Sequence, residues 1–231
     1  MTTKPHDFRT TPEHRWPVVV AVAVALVLYL LQRSPLVPWL QWVVVGTCLA
    51  VLLALVFLNP HRLNRETRWS RIASIALAVL LLAANQVALV SLITDLLNSN
   101  EQDAGGILLM SLQVWTTNVI AYAIVYWEVD RGGPVVRRRE PRSELPPASF
   151  RFPQDEDHDA IDEVAVGSSK AADWTPEFFD YLYFSSSNSM AFSPTDTMPL
   201  ARWAKALMLV ESFSGFVILA LVISRAVSVI G

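Results

Sequence analysis

One acidic residue, Glu211, lies deep within an apolar stretch near the end of the chain, with Ser212, Ser214 and Gly215 beside it. An ionisable side chain in such a stretch is costly and usually faces other helices or a water-filled path. One interpretation makes Glu211 an ion or proton site and Gly215 a hinge. The other makes Glu211 a hydrogen-bonded packing residue and Gly215 a point of close helix contact.

Amide and hydroxyl side chains recur within two earlier apolar stretches. They are Asn85, Gln86, Gln113, Thr116, Thr117 and Asn118. Together with Glu211 they could line a polar path, for which Gln113 and Asn118 are the candidates. They could equally form interhelical hydrogen bonds, which are common where the only other neighbour is lipid.

A polar segment late in the chain separates two regions of apolar character. Before it, Thr175 is a good helix N-cap and Pro176 suits the first helical position. Apolar and aromatic residues then recur at four-residue spacing over 178–183, which predicts a short helix with an aromatic face. The serine-rich run at 185–189 favours a loop over a continued helix.

This arrangement, a short helix and a polar loop between two apolar stretches, is the pattern of a re-entrant pore loop. Irregular backbone survives at membrane depth only where protein or water satisfies its polar groups. The candidate loop residues are Asn188, Ser189, Met190, Ala191, Phe192, Ser193, Thr195 and Asp196.

Other chemistries find little support in the sequence. Cys48 is the only cysteine, which excludes an intrachain disulfide. The four histidines lie outside the apolar stretches and lack paired metal-ligand spacing. No nucleophile has an obvious base, and no basic stripe carries interleaved aromatic residues. We therefore expect no metal, no cofactor, no enzymatic activity and no nucleic-acid partner.

The elements that carry these residues are apolar runs. Hydrophobic residues make up 53% of the 231 residues and charged residues 17%, which is typical of a membrane protein. A helix needs ~20 mostly apolar residues to cross the hydrocarbon core. Five runs come close to or exceed this length: 16–31, 36–58, 72–97, 107–127 and 200–230. We predict an all-α integral membrane protein with five transmembrane helices and a short re-entrant or interfacial helix before the last.

The predicted organisation has five parts: a cytoplasmic tail (1–15), a three-helix membrane bundle (16–97), a fourth spanning helix (107–127), a charged linker (128–172), and a unit of pore-loop-like helix, polar turn and last spanning helix (173–231). We expect the lipid bilayer to surround the spanning helices. The linker is rich in proline and passes from a basic block to an acidic one, a composition that predicts disorder. Its residues 131–163 are the candidate binding segment for a protein partner.

Basic residues cluster in the tail, in the loop at 61–71 and at the start of the linker, whereas the loop at 98–103 is acidic. With a cytoplasmic N-terminus, all three basic clusters fall on the cytoplasmic side, as the positive-inside rule requires. Five crossings then place the C-terminus outside and the loop region 174–197 on the cytoplasmic side.

Three segments near the C-terminus follow one another in a specific order. They are Phe-Asp-Tyr-Leu-Tyr-Phe-Ser at 179–185, Thr-Asp-Thr-Met-Pro-Leu-Ala-Arg at 195–202, and an apolar helix that ends in Ile-Ser-Arg-Ala-Val at 223–227. In this order they distantly resemble the pore helix, filter and inner helix of the two-helix pore module of potassium channels. The filter is degenerate, because the glycines that aim carbonyl groups at the ion are missing from 188–196. The resemblance implies a homo-oligomer, since one such module cannot enclose a pore.

The pattern of the whole chain is also similar to a large family of uncharacterised bacterial membrane proteins, a domain-of-unknown-function family. The shared features are the length, the basic loop after the second apolar run, and the stretch from Trp174 to Phe184 followed by a polar turn. The resemblance implies the bacterial inner (plasma) membrane and brings no activity. Two functional hypotheses stay open: channel-like ion transport through the C-terminal module, or a non-transporting scaffold or accessory subunit that binds a partner through the charged linker.

Overall fold

A computed structural model of the chain describes residues 13–32, 38–58, 68–98, 104–190 and 196–230. Within these ranges the chain is mostly helical, and a single antiparallel pair of two-residue strands joins its later parts. The elements in chain order are α1 (Trp16–Leu30), α2 (Pro38–Leu58), α3 (Arg68–Asn98), α4 (Ala104–Val129), α5 (Pro134–Arg139), β1 (Phe150–Arg151), α6 (Asp162–Ala165), α7 (Ser169–Ala172), α8 (Phe178–Met190), β2 (Met198–Pro199) and α9 (Arg202–Ile230).

Three helical segments of the described residues are long and apolar enough to cross a membrane: Trp69–Leu96, Gly105–Gly132 and Arg202–Ser224. The apolar helices Trp16–Leu30 and Gln41–Ala54 are shorter. The prediction of a mostly helical protein is thereby confirmed, with three helices able to span a membrane, and five crossings stay a prediction. The bounds of α1 to α4 and α9 agree with the predicted apolar runs to within a few residues.

α4 is the central element of the fold, because it contacts α1, α3, α8 and α9. Every residue from Thr117 to Glu128 is buried. The apolar core that surrounds it includes Val22 of α1, Cys48 of α2 and Ala78 of α3, each at most 1% exposed. α4 therefore provides the fixed surface against which α8 and α9 are positioned.

The segment 128–172, predicted to be a disordered linker, is ordered in the structure. Its short helices, turns and β1 cover the end of α4, and we call residues 130–177 the polar cap. Arg137 and Asp130 of the cap are both 0% exposed. Composition predicts disorder because charged residues normally stay in water, but these two are buried with partners of opposite charge or with hydrogen-bonding groups.

An aromatic cluster joins the polar cap to the helices beneath it. The ring of Phe150, 0% exposed, lies 5.0 Å from that of Tyr126 in α4, 5.1 Å from that of Phe184 in α8 and 6.0 Å from that of Trp203 in α9. β1 and β2 form an antiparallel pair in which Phe150 lies opposite Pro199, and this pairing fixes the backbone that carries the Phe150 ring. One apolar side chain from the cap therefore fixes the positions of three helices.

The chain reverses direction at the end of α4 through Arg131, Gly132 and Gly133, whose φ angles are 50°, 82° and 93°. This left-handed region favours glycine, which has no Cβ to collide with the backbone. A Cβ on Gly132 would also lie 2.8 Å from Cγ1 of Val136. The turn brings α5 back over α4, so that Nη1 of Arg137 donates a hydrogen bond to the carbonyl oxygen of Trp127 at 2.6 Å.

Candidate functional site

The short helix α8 packs between α4 and α9. Its first residue, Phe178, packs edge-to-face on Trp127, with ring centroids 5.9 Å apart. Further along, the hydroxyl oxygen of Ser185 lies 2.8 Å from the carbonyl oxygen of Val119. Val119 lies two turns back along α4 from Trp127, which corresponds to ~12 Å of descent from the polar cap. α8 therefore runs antiparallel to α4, from the polar cap into the helical bundle.

Glu13, which precedes α1, holds the start of α8. Its Oε1 accepts hydrogen bonds from the backbone N–H of Phe178 at 2.7 Å and from Nε1 of Trp127 at 3.0 Å. The first N–H groups of a helix have no partner within the helix, and a carboxylate there also faces the positive end of the helix dipole. α8 begins at Phe178, two residues later than the first helical position predicted at Pro176.

Arg137 ties Glu13 to the polar cap. Its Nη2 lies 3.4 Å from Oε2 of Glu13, and its Nε donates to the carbonyl oxygen of Pro176 at 3.0 Å. The guanidinium also lies over the rings of Trp127 and Tyr181, at 5.6 and 5.2 Å from their centroids. Burial raises the pKa of Glu13 above its ordinary value, and the charge of Arg137 opposes that shift.

A second buried group of the cap, Asp130, fixes the same helix from another side. The hydroxyl of Tyr181 donates to Oδ2 of Asp130 at 2.6 Å, and the backbone N–H of Ser149 donates to Oδ1 at 2.7 Å. Arg131 continues the network, because its Nη2 donates to the carbonyl oxygen of Phe150 and to Asp155. The N-terminal half of α8 is therefore anchored by two acidic residues from distant parts of the chain, Glu13 and Asp130.

Glu211 anchors the C-terminal half of α8, which we call its lower part. Its carboxyl group is 0% exposed and accepts hydrogen bonds from the hydroxyl of Tyr126 at 2.7 Å and from Nδ2 of Asn188 at 2.6 Å. The hydroxyls of Ser185 and Ser189 donate to its other oxygen. All four neighbours are donors, so Glu211 joins α4, α8 and α9 as a shared hydrogen-bond acceptor.

The serine-rich run predicted as a loop is helical, because α8 continues to Met190. Serine disfavours helix interiors chiefly by competing for backbone groups. Here Ser185 and Ser189 are buried and face Glu211 instead. The hydroxyl of Ser212 in α9 also donates to Oδ1 of Asn188 at 2.9 Å. These contacts with a neighbouring helix stabilise the helical form of the run.

The structure therefore divides the predicted pore-loop residues. Asn188, Ser189 and Met190 form the last turn of α8, and Asp196 lies exposed before β2. The remaining candidates lie outside the described residues: Ala191, Phe192, Ser193 and Thr195.

Gly215 lies directly against the end of α8. A Cβ built on it would collide with the carbonyl oxygen of Ser189 and lie 3.2 Å from the Cα of the same residue. The absence of a side chain thus allows the backbones of α8 and α9 to meet. This geometry is the one expected if Gly215 is a point of close helix contact. The four donors around Glu211 are those expected if Glu211 is a hydrogen-bonded packing residue.

The other candidate path residues form a separate cluster between α3 and α4. Nδ2 of Asn85 donates to Oδ1 of Asn118 at 2.7 Å, and the hydroxyl of Thr117 donates to Oδ1 of Asn85 at 2.8 Å. Gln113 is half-buried, and its backbone carbonyl oxygen lies 2.9 Å from the same Thr117 hydroxyl, within α4. The two bonds of Asn85 hold α3 and α4 together, which is the arrangement of the second interpretation.

Sequence reasoning missed Glu13, Arg137, Asp130 and Tyr181 as parts of the site. Arg137 is one of three consecutive arginines, and nothing in that run distinguishes the buried one. The available signal was weak: an isolated acid, Glu13, just ahead of an apolar helix. Within the described ranges, no group of three or more His, Cys, Asp or Glu side chains could hold a metal ion.

Comparison of the chain with protein-family models, curated proteins and solved structures finds no match. The fold and the site themselves define a class: a mostly helical protein with three candidate membrane spans among its described residues, whose apolar helices favour contact with a lipid bilayer. Its particular feature is a short helix inserted between two of those spans and held there by buried polar groups.

Proposed function

We propose that the chain crosses the bacterial inner membrane five times and that α4, α8 and α9 form a channel-like module for ion transport, assembled from several copies. The observation that carries this proposal is the position of α8. It enters between two candidate spans, and Asn188 near its end bonds to Glu211 well inside the second of them. A half-length helix at this depth is the shared feature of pore-loop modules.

The packing of α1 and α2 supports five crossings. Glu13 places the start of α1 at the polar cap. Nε2 of Gln41 donates to the carbonyl oxygen of Tyr29 at 2.6 Å, which places the start of α2 at the opposite end. α2 then returns alongside α3. Exposed tryptophans, which prefer the membrane interface, occur at both ends: Trp16 and Trp69 near the cap, Trp39 and Trp42 at the far end.

The distribution of basic residues supports a cytoplasmic polar cap. Nη1 of Arg71, at the start of α3, donates to the carbonyl oxygen of Gly132, so the first turn of α3 lies at the cap. The backbone N–H of Leu200 donates to the carbonyl oxygen of Ser149 at 2.8 Å, so the start of α9 lies at the cap as well. The basic residues at this end include Arg15, Arg71, Arg131, Arg137, Arg138, Arg139, Arg142, Arg151, Lys170, Arg202 and Lys205. By the positive-inside rule the N-terminus is cytoplasmic, the C-terminus is outside and α8 enters from the cytoplasm.

The homo-oligomer is part of the same proposal, because two spans and a half-length helix cannot enclose a pore. α9 presents an apolar outer surface to a second copy, with Leu209 71%, Phe213 65% and Ile223 54% exposed. The distant resemblance to potassium-channel pore modules supports this arrangement, and the likeness to an uncharacterised bacterial family accords with it. The missing filter glycines leave the transported ion unspecified.

The test is ion flux through the full chain reconstituted in liposomes. We expect K⁺, Na⁺ or H⁺ flux above that of protein-free liposomes, and a reduced flux in Asn188→Leu, which loses the bond that seats α8. Thr94→Ala, on α3, removes a hydroxyl that bonds to Val90 of its own helix; it is the matched control and should conduct like the wild type. Absence of flux under every gradient and voltage, or a strictly monomeric protein in bilayers, would contradict the proposal.

A second candidate function is a non-transporting scaffold or accessory subunit, favoured by one surface of the polar cap. Asp159, Asp162 and Glu163 are exposed there, beside Ile161 at 65% and Val166 at 66% exposure. Acidic and aliphatic groups together fit a basic amphipathic partner.

Neutralising these three acids to Asn or Gln tests this candidate, because it leaves the buried Glu13–Arg137 pair intact. We expect loss of cross-linking to a basic partner in membranes and unchanged folding. Arg139→Gln, at an exposed position elsewhere on the cap, is the control. Equal cross-linking in the neutralised variant would argue against a scaffold that uses this surface.

A further inference from the structure

An apolar groove of about 420 Å³ lies between α4 and α9, directly beyond the end of α8. Its floor is buried, with Ser111 at 2%, Ile218 at 4% and Ser189 at 7% exposure. Its rim is open, with Leu108 at 40% and Leu112 at 58%. Trp115, Met190, Gly215, Leu219 and Val222 complete the lining.

The groove exists because α8 is only half as long as its neighbours. In the half of the bundle nearer the polar cap, α8 occupies the space between α4 and α9. α8 ends at Met190, while α9 continues to Ile230, so the two long helices face each other with no third helix of the described residues between them. Ile218, which lines the groove, belongs to the same buried apolar cluster as Met110 and Val114 of α4, and this cluster backs the floor of the groove.

We propose that this groove binds one acyl chain of a bilayer lipid. Its open rim is continuous with the apolar outer surface of α4 and α9, both candidate spans whose surroundings are hydrocarbon. Water is disfavoured, because the hydroxyls of Ser111 and Ser189 already donate to Ile107 and Glu211. The volume lies within the ~300–1,000 Å³ of sites that hold small apolar ligands.

A chain in the groove packs against the last turn of α8 and so supports the end of that helix. This inference requires membrane insertion alone and is independent of ion transport. A failure of the flux experiment therefore leaves it untouched, and its own failure leaves the flux experiment untouched.

The test uses the full chain in bilayers that contain a phospholipid with a photoreactive diazirine on its acyl chain, followed by mapping of the labelled residues by mass spectrometry. We expect adducts at Ile218 on the floor as well as at Leu49 and Leu53, lipid-facing residues of α2 that are 46% and 47% exposed. Lipid that merely surrounds the protein reaches α2 but does not reach a floor residue that is 4% exposed.

Two variants fill the groove from different sides: Val222→Phe from α9 and Ser111→Leu from α4. Each should lower labelling of Ile218 several-fold and leave labelling of Leu49 and Leu53 unchanged. Labelling of α2 without labelling of Ile218 in the wild type overturns the proposal, and that measurement needs no variant to fold. Chain-to-chain adducts from a photoreactive residue at Leu112, with Ile218 unlabelled, would assign the groove to a second copy instead.

Discussion

The carboxylate of Glu13 accepts a hydrogen bond from the backbone N–H of Phe178 at 2.7 Å, across a separation of 165 residues. The same carboxylate faces the guanidinium of Arg137, and both side chains are almost completely buried, at 4% and 0% exposure. A residue ahead of the first helix thus completes the start of α8 and neutralises a buried cation of the polar cap. Changes at Glu13 should therefore act on the start of α8 and on the polar cap together.

Replacing Glu13 by alanine should destabilise the folded protein by about 3–5 kcal/mol, because the backbone N–H of Phe178, Nε1 of Trp127 and the buried guanidinium of Arg137 all lose their shared partner. The measurement is unfolding in detergent followed by tryptophan fluorescence, since Trp127 lies in the same network. Glu163→Ala removes an exposed carboxylate and is the matched control, for which we expect a change within about 0.5 kcal/mol.

A double-mutant cycle separates the ion pair from the other roles of Glu13. Glu13→Leu combined with Arg137→Met should cost less than the sum of the two single changes, because the double variant buries no unpaired charge. Additive effects would show that the two side chains do not stabilise each other.

The pH dependence of stability should carry a contribution from Glu13. Burial raises its pKa above the ordinary value of 4.5, so the folded state keeps this proton to higher pH than the unfolded state does. The free energy of unfolding should therefore fall as pH rises from about 4.5 through the raised pKa. Glu13→Gln cannot release a proton and should show a smaller fall over the same range. Melting curves of both proteins measure the difference, and parallel curves would contradict the raised pKa.

Replacing Glu211 by leucine should release the lower part of α8. Tyr126 and Asn188 would each lose a buried acceptor, and an unsatisfied buried donor costs ~1–3 kcal/mol. We expect lower thermal stability and faster modification of a cysteine placed at Ser186 in a Cys48→Ser background. Phe213→Leu, two residues away on the exposed side of α9, is the control. Unchanged cysteine reactivity in Glu211→Leu would show that α8 does not depend on this carboxyl group.

Replacing Gly215 by alanine should displace the last turn of α8, because the new Cβ would overlap the carbonyl oxygen of Ser189. Overpacking of this kind typically costs about 1–3 kcal/mol. Gly46→Ala is the matched control: Gly46 also lies inside an apolar helix, and a Cβ there meets nothing within 4 Å. That change should be neutral or stabilising, since alanine has the higher helix propensity. Similar losses at both positions would indicate a general effect of altering apolar helices.

The long helices could be predicted because their cause is local. An apolar run that satisfies its own backbone hydrogen bonds forms a helix wherever it lies, so α1 to α4 and α9 appear close to the expected positions. Glu211 could be identified for a similar reason, because an acidic residue within a long apolar run is visible in the sequence itself. The polar cap could not be predicted, because its composition resembles that of a disordered segment while its order depends on partners far away in the chain.

The sequence by itself determined the helical character, the positions of the long apolar helices and the choice of Glu211 as a candidate site residue. Only the tertiary structure decided that the serine-rich run is helical, that Gly215 receives the backbone of α8, and that Arg137 rather than Arg138 or Arg139 is fully buried. The physical reason is the same in each case. A buried hydrogen bond or ion pair is favourable only when both partners are brought together, and Glu13 with Arg137, or Asn188 with Glu211, meet only when two segments distant in the sequence pack against α4.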